Sequence, residues 1–137
     1  VVVQTEEIQA WVREELGIES EIIANPIDFN YLNDPSVQPL PKNNRKKMLG
    51  VGRLARQKGF DLLINAFAEL AADFTDWDLV ICGEGPERRP LEALIRQHGL
   101  EDRISLVGVV DDVRPYYRSA DLFVLSSRYE GNSNALF

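Results

Sequence analysis

The stretch "MLGVGRLARQKGFDLLINAFAEL", residues 48–70, decides the fold because its hydrophobic pattern changes part-way along. Residues 48–52 are apolar or glycine, which predicts a buried strand that ends at Gly52. Apolar residues then recur at helical spacing and predict an amphipathic helix over residues 60–72. Between strand and helix lie three cations, Arg53, Arg56 and Lys58, although the whole chain has a formal net charge of −7. An acidic chain thus gathers positive charge at the end of a strand, where α/β proteins bind ligands.

The alternation of strand and helix continues toward the end of the chain. Strands are predicted at residues 77–83, 103–108 and 121–127, and helices at 86–99 and 112–120. Most strand positions are apolar instead of alternating, so both faces of the sheet should be covered. We therefore predict an α/β fold with a doubly wound, Rossmann-like parallel sheet.

The first part of the chain follows a different pattern. Residues 1–3 predict a strand, Thr5 caps a helix over residues 6–16, and a short strand breaks at Asn25-Pro26. Residues 30–47 contain three prolines and many polar side chains, which predicts a linker between residues 1–29 and 48–137. The chain begins in a strand-like run without Met and ends in a helix-like start. We therefore expect a fragment, with a sheet incomplete at both ends.

Composition excludes several classes of protein. With 137 residues, 45% apolar and 27% charged, the chain fits a globular domain, and its acidic balance argues against nucleic acid as a partner. No apolar run reaches the roughly 20 residues of a membrane span. The single cysteine, Cys82, excludes an internal disulfide framework and fits a reducing cytoplasm. No His, Cys and Asp cluster has metal-ligand spacing, so we expect neither a metal nor another cofactor.

Four segments that follow predicted strands carry glycine or charge: "GRLARQKG", "GEGPER", "GVVDD" and "SSRYEGNSN". Arg53 and Lys58, next to a helix N-terminus, suit a diphosphate, and the alternative is a solvated basic turn. Gly83 and Glu84 either allow close approach of a ligand or form only a strand-to-helix turn. The run Arg45-Lys46-Lys47 is either a solvated linker or a contact to an anionic membrane surface.

The segment "RYEGNSN" has the richest chemistry. Glu130 can accept hydrogen bonds from sugar hydroxyls, and Gly131, Asn132 and Ser133 can present backbone N–H groups at a helix start. A sugar attached to phosphate needs both kinds of partner. The alternative is a polar loop that caps a helix.

The ordered segments resemble the retaining nucleotide-sugar glycosyltransferases called group 1. The matching stretches are "VGRLARQKGFDLLINAFAEL", "LVICGEGPERRPLEALI" and "ISLVGVVDDVRPYYRSADLFVLSSRYEGNSNALF". "VVVQTEEIQAWVREELGI" is similar to the last strand and helix of that family's N-terminal domain, and "IIANPIDF" to its crossover, with Ile27 in place of glycine. The resemblance implies the GT-B arrangement of two Rossmann-like domains. Residues 48–137 would then be the donor-binding C-terminal domain, and residues 1–29 the end of the acceptor-binding domain.

The resemblance also implies residue roles. Arg53 and Lys58 would hold the donor diphosphate and Glu130 would contact the donor sugar, which makes these three the candidate catalytic residues. The loop 108–112 would lie near the base. The implied donor-binding positions are Gly52, Gly83, Glu84, Gly108, Val109, Asp111, Gly131, Asn132, Ser133 and Asn134. The family's second Glu would fall just past Phe137, and Asn132 and Ser133 replace its usual aromatic or Leu and Pro.

The implied reaction moves a sugar from a nucleoside diphosphate to a hydroxyl with retention of configuration and without a metal. The acceptor would be a saccharide or a lipid-linked sugar, as in polysaccharide or glycoconjugate synthesis in the cytoplasm, with peripheral contact to the inner membrane face as an alternative. Two other functions stay open: a nucleotide-sugar epimerase on the same fold, and a non-catalytic nucleotide-binding module. We expect residues 1–137 alone to be inactive as a transferase.

Overall fold

The computed structural model describes residues 1–23, 29–32, 34–41 and 43–129. It divides into two compact units. The smaller unit contains the described residues before Asp34, and the larger unit is Asp34–Tyr129. The assignment of these units to two domains of a longer protein stays a prediction.

The described residues of the smaller unit form β1 (Val2–Val3), α1 (Glu6–Leu16), β2 (Glu21–Ile22) and α2 (Phe29–Leu32). β1 and β2 pair in parallel. The predicted cap of α1 is present, because the Thr5 hydroxyl oxygen accepts a hydrogen bond from the Ile8 backbone N–H at 3.3 Å. Gly17, in the left-handed conformation, ends the helix.

The larger unit alternates strands and helices as the sequence predicts. In chain order its elements are β3 (Lys46–Val51), a 3₁₀ turn (Arg56–Lys58), α3 (Phe60–Leu70), β4 (Trp77–Cys82), α4 (Arg88–His98), β5 (Ile104–Gly108), α5 (Arg114–Ser119) and β6 (Leu122–Phe123). In this part of the chain the strands form a four-stranded sheet in the order β5-β4-β3-β6, and every pairing is parallel. The predicted α/β fold with a parallel sheet is therefore confirmed.

The core of the larger unit joins α3 and α4 to the sheet. Its most completely buried members are Leu54, Ile64, Leu79 and Ile81, each 0% exposed. The other buried members of the cluster are Phe60, Leu63, Phe67, Ala71, Leu91, Ile95 and Ile104. Since Leu54 lies in the loop after β3 and is fully buried, the core also holds the start of that loop in place.

Part of the predicted linker, residues 34–41, belongs to the larger unit. Val37 is buried, and Arg118 on α5 donates hydrogen bonds to the backbone carbonyls of Val37 and Asp34, the latter at 2.7 Å. Arg114 also pairs with the Asp34 carboxylate at 3.6 Å. These contacts satisfy carbonyls that a solvated linker would leave to water.

β6 is shorter than the strand predicted at residues 121–127. Leu122 and Phe123 pair with Met48 and Leu49 of β3. Farther along, the Ser126 hydroxyl donates to the Lys58 carbonyl, so the chain bonds to the 3₁₀ turn instead of extending the sheet. None of the helices in the described ranges combines the length and apolar character that a bilayer crossing requires.

Candidate functional site

The order of the strands locates the candidate site. β4 and β5 extend the sheet on one side of β3, and β6 lies on the other side. The direction of winding therefore reverses between β3 and β6. In open parallel sheets, ligands bind past the carboxyl ends of the strands at such a reversal. The loops after β3 and β6 border this position, and they contain two of the four segments singled out in the sequence.

The ends of neighbouring strands approach each other through glycine. Gly52 donates its backbone N–H to the Cys82 carbonyl at 3.0 Å, and Gly83 donates to the Gly108 carbonyl at 2.8 Å. A Cβ added at Gly83 would lie 1.8 Å from the Gly52 carbonyl oxygen, and the φ of Gly83 is 144°. Only glycine permits this approach of two main chains. Gly52, Gly83 and Gly108 thus form one backbone-lined edge, and their contact to a donor stays a prediction.

Lys58 lies over the end of β3. A Cβ added at Gly52 would be 3.4 Å from both Cδ and Cε of Lys58, which puts the aliphatic part of that side chain against Gly52. Arg53 follows Gly52 directly and is exposed. The fold therefore places both predicted diphosphate ligands at the carboxyl end of β3, next to the reversal of winding.

The segment after β6 holds the 3₁₀ turn that contains Lys58. Each carbonyl of the turn accepts a hydrogen bond from this segment: Arg56 from the Arg128 guanidinium, Gln57 from the Arg128 backbone N–H and Lys58 from the Ser126 hydroxyl, all at 2.8 Å. The segments "GRLARQKG" and "SSRYEGNSN", which are far apart in the sequence, are thus in direct contact.

Arg128 also binds the first turn of α3. Its two terminal nitrogens donate to the two carboxylate oxygens of Asp61 at 2.7 and 2.6 Å. These hydrogen bonds lower the pKa of Asp61 and raise the pKa of Arg128. Sequence analysis missed both residues, because the two are 67 positions apart. No pattern in the sequence marked the pair, because the stretches around Asp61 and Arg128 each hold charges of both signs.

Glu84 is engaged with its own loop and α4. Its carboxylate accepts from Arg88 at 2.8 Å and from the Gly85 backbone N–H at 3.2 Å. Arg88 also donates to the Leu106 carbonyl at 3.1 Å, so this ion pair ties the loop after β4 to β5. A direct contact from Glu84 to the donor stays a prediction.

The loop after β5 is open to solvent. Val109 is 77% exposed, and Asp111 is exposed as well. The Asp112 carboxylate accepts hydrogen bonds from the Arg114 backbone N–H and guanidinium at 2.9 Å, which stabilises the start of α5. The predicted base contacts of Val109 and Asp111 are not tested by these positions.

The remaining predicted site residues, Glu130, Gly131, Asn132, Ser133 and Asn134, lie outside the described residues. Within the described ranges, no group of three or more His, Cys, Asp and Glu side chains has a geometry that could hold a metal ion. Burial raises the pKa of the Cys82 thiol to about 12, so it stays protonated and unreactive at neutral pH.

Known proteins share both the sequence and the fold of this chain. The family profile "Glycosyl transferases group 1" matches residues 34–136. The chain belongs to this family. This group 1 chain is 36% identical over 116 residues to the N-acetylgalactosamine-N,N'-diacetylbacillosaminyl-diphospho-undecaprenol 4-alpha-N-acetylgalactosaminyltransferase of Campylobacter jejuni. The alignment covers 85% of this chain and 31% of that protein. It is 37% identical over 97 residues to an uncharacterized glycosyltransferase of Haemophilus influenzae, covering 67% of this chain and 28% of the relative.

A solved structure shows the same fold for the group 1 chain. A mutant of S. aureus TarM, in complex with fondaparinux, alpha-GlcNAc-glycerol and UDP, superposes with a TM-score of 0.82 at 22% identity. The match covers 97% of this chain and 26% of that one. The group 1 chain therefore has the fold of part of a GT-B glycosyltransferase. It spans about a third or less of the length of these three proteins.

Proposed function

We propose that this chain binds the nucleoside diphosphate part of a sugar donor, and that the full-length protein transfers the sugar to a hydroxyl with retention of configuration. The observation that carries the proposal is the position of Arg53 and Lys58. Both follow β3 at the reversal of winding in the parallel sheet, in a chain of the group 1 glycosyltransferase family.

The proposed role of the two cations follows from the charge that develops in the reaction. Glycosyl transfer passes through an oxocarbenium-like state while negative charge grows on the departing diphosphate. An arginine can donate to two phosphate oxygens at once, and a lysine supplies a compact charge. The aliphatic part of the Lys58 side chain packs against Gly52, which keeps this side chain at the end of β3. Arg53 and Lys58 would thus stabilise the leaving group.

The sugar and the acceptor would meet other parts of the protein. Glu130 and the backbone of Gly131 to Asn134 would contact the donor sugar, and the donor phosphate would help to deprotonate the acceptor hydroxyl. Two relatives, the Campylobacter jejuni transferase above and a lipopolysaccharide core biosynthesis glycosyltransferase of Rhizobium meliloti, support a saccharide or lipid-linked acceptor. We propose that this reaction takes place in the cytoplasm.

Donor binding by the full-length protein tests the proposal. A thermal-shift panel of UDP-, GDP- and ADP-sugars should give a clear stabilisation with one nucleotide, and UDP is the first choice because solved structures of the same fold contain it. Lys58→Ala should lower kcat/KM by on the order of 10²-fold, the effect of losing one donor to a developing charge.

A matched control removes a cation at the opposite end of the same sheet. Arg45, just before β3, pairs with Asp78 at 2.9 Å, and Arg45→Ala should leave kcat/KM unchanged within about twofold. A loss under about threefold for Lys58→Ala would count against the proposal. Conversion of the nucleotide sugar in the absence of an acceptor would instead identify an epimerase. Equal affinity for a nucleoside diphosphate and its sugar conjugate, without turnover, would identify a binding module.

A further inference from the structure

The turn that contains Lys58 and the segment 126–129 bind each other in both directions. Ser126 and Arg128 donate to the three carbonyls of the turn, as described above. In return, the Gln57 side-chain amide donates to the Tyr129 carbonyl at 3.1 Å. A shift of either segment therefore breaks hydrogen bonds of the other.

The Arg128 side chain contacts both the turn and α3. Its guanidinium donates to the Arg56 carbonyl and also forms a two-point contact with Asp61. A planar guanidinium suits this arrangement, whereas a lysine ammonium cannot donate along two parallel directions to one carboxylate. Arg128 thus fixes the orientation of the segment relative to α3 as well as its distance from the turn.

Stability alone does not explain this arrangement. The side chains of Arg128 and Asp61 remain 28% and 43% exposed, and ion pairs with such access to water add little to the free energy of unfolding. The contact between Arg128 and Asp61 matters for another reason, because the segments that it joins adjoin two proposed donor ligands. Lys58 is the last residue of the turn, and Tyr129 is followed directly by Glu130, the predicted sugar ligand.

We propose that Arg128 and Asp61 are positioning residues for the donor. Their ion pair holds the turn of Lys58 and the residues before Glu130 in one geometry, so that the contacts to diphosphate and to sugar form together. This inference rests on the proposed function. The inference predicts different effects for two substitutions. Loss of the Lys58 side chain removes a positive charge from the diphosphate contact, whereas loss of the Arg128 side chain misplaces the sugar contact.

Binding and turnover by the full-length protein test the inference, with UDP and UDP-glucose as first probes and the GDP and ADP pairs next. Arg128→Ala and Asp61→Ala should each lower kcat by about tenfold or more, because small misplacements of substrate slow the reaction strongly. Affinity for the bare diphosphate should change less than about threefold. The double variant should be no slower than Arg128→Ala, since Arg128→Ala already removes the interaction with Asp61 together with the hydrogen bond to the Arg56 carbonyl.

Two further variants sharpen the result. Arg128→Lys keeps the charge without the two-point contact and should recover only part of kcat. Arg45→Ala removes a comparable exposed ion pair at the other end of the sheet and should leave kcat within about twofold of the wild type. Equal losses of affinity for the diphosphate and for its sugar conjugate would overturn the positioning role, as would additive effects of the two alanine substitutions.

Hydrogen exchange of the full-length protein without any ligand separates this inference from the proposed function. Arg128→Ala should speed exchange at residues 56–58, and Asp61→Ala should speed exchange at residues 126–129, although neither substitution lies in the affected segment. If Arg128→Ala leaves exchange at residues 56–58 unchanged and Asp61→Ala leaves exchange at residues 126–129 unchanged, the inference is wrong, even if the wild type binds a nucleotide sugar. If no nucleotide binds, the proposed function fails, and the exchange result still decides whether the two segments are coupled.

Discussion

Replacement of Gly59 by alanine gives a direct measure of how closely the segment after β6 approaches the turn. Gly59 has a φ of 64° and ends the 3₁₀ turn. A Cβ at this position would lie 2.1 Å from the Ser126 carbonyl oxygen, far inside the 3.0 Å below which such contacts essentially never occur. The main chain at Ser126 would have to move by about 0.9 Å, away from Gly59. Gly99, with a φ of 65° and nothing within 4 Å of an added Cβ, is the matched control.

The expected energies differ because only one site is crowded. The left-handed conformation costs alanine about 1–2 kcal/mol at either position, and the lower entropy of the unfolded chain offsets about 0.4–1 kcal/mol of that. Gly99→Ala should therefore lower the free energy of unfolding by about 1 kcal/mol. Gly59→Ala adds the cost of overpacking, about 1–3 kcal/mol. The difference between the two variants should thus be about 1–3 kcal/mol.

Hydrogen exchange in the full-length protein measures the local free energy of unfolding, at the amides of α3 for Gly59→Ala and at those of α4 for Gly99→Ala. Gly59→Ala should also weaken donor binding, since a shift of Ser126 strains its hydrogen bond to the carbonyl of Lys58, the proposed diphosphate ligand. Gly99→Ala should bind donor as the wild type does. Equal destabilisation by the two substitutions, within about 0.5 kcal/mol, would refute the close approach at Gly59.

Three further predictions follow from other contacts. Gly83→Ala should disrupt the ends of β3 and β4, because the added Cβ would meet the Gly52 carbonyl oxygen at 1.8 Å; the circular dichroism and melting temperature of the full-length variant measure the loss. The hydrogen bonds from Arg128 lower the pKa of Asp61. The ion pair therefore stabilises the folded state at pH values above the ordinary carboxyl pKa of about 3.9, and this stabilisation is lost as the pH falls below that value. Unfolding followed from pH 6 to about pH 3 should show a smaller loss of stability in Asp61→Asn than in the wild type, because Glu7 and Asp34, whose pKa values are also lowered, still titrate in both proteins. Residues 1–137 alone should show no sugar transfer in a labelled-donor assay, and measurable turnover would contradict this.

The hydrophobic pattern predicts much of the fold, because helices and buried strands are marked by interactions between near neighbours in the sequence. The bounds predicted for α1 agree with the structure, since Thr5 and Gly17 cap the helix from adjacent positions. The strand predicted at residues 77–83 is observed as Trp77–Cys82. The change of pattern after Gly52 likewise placed Arg53 and Lys58 in a loop between strand and helix.

The sequence by itself determined the class of fold, the family and the location of the cations after a strand, since all three depend on local order along the chain. Only the tertiary structure decided that β6 lies beside β3 and that Arg128 binds Asp61 and the turn of Lys58. These contacts join residues that are about half the chain apart, and no local pattern records which partner each will meet. The packing of α3 and α4 on the sheet brings these distant residues together, because the packed core fixes where each loop leaves its strand.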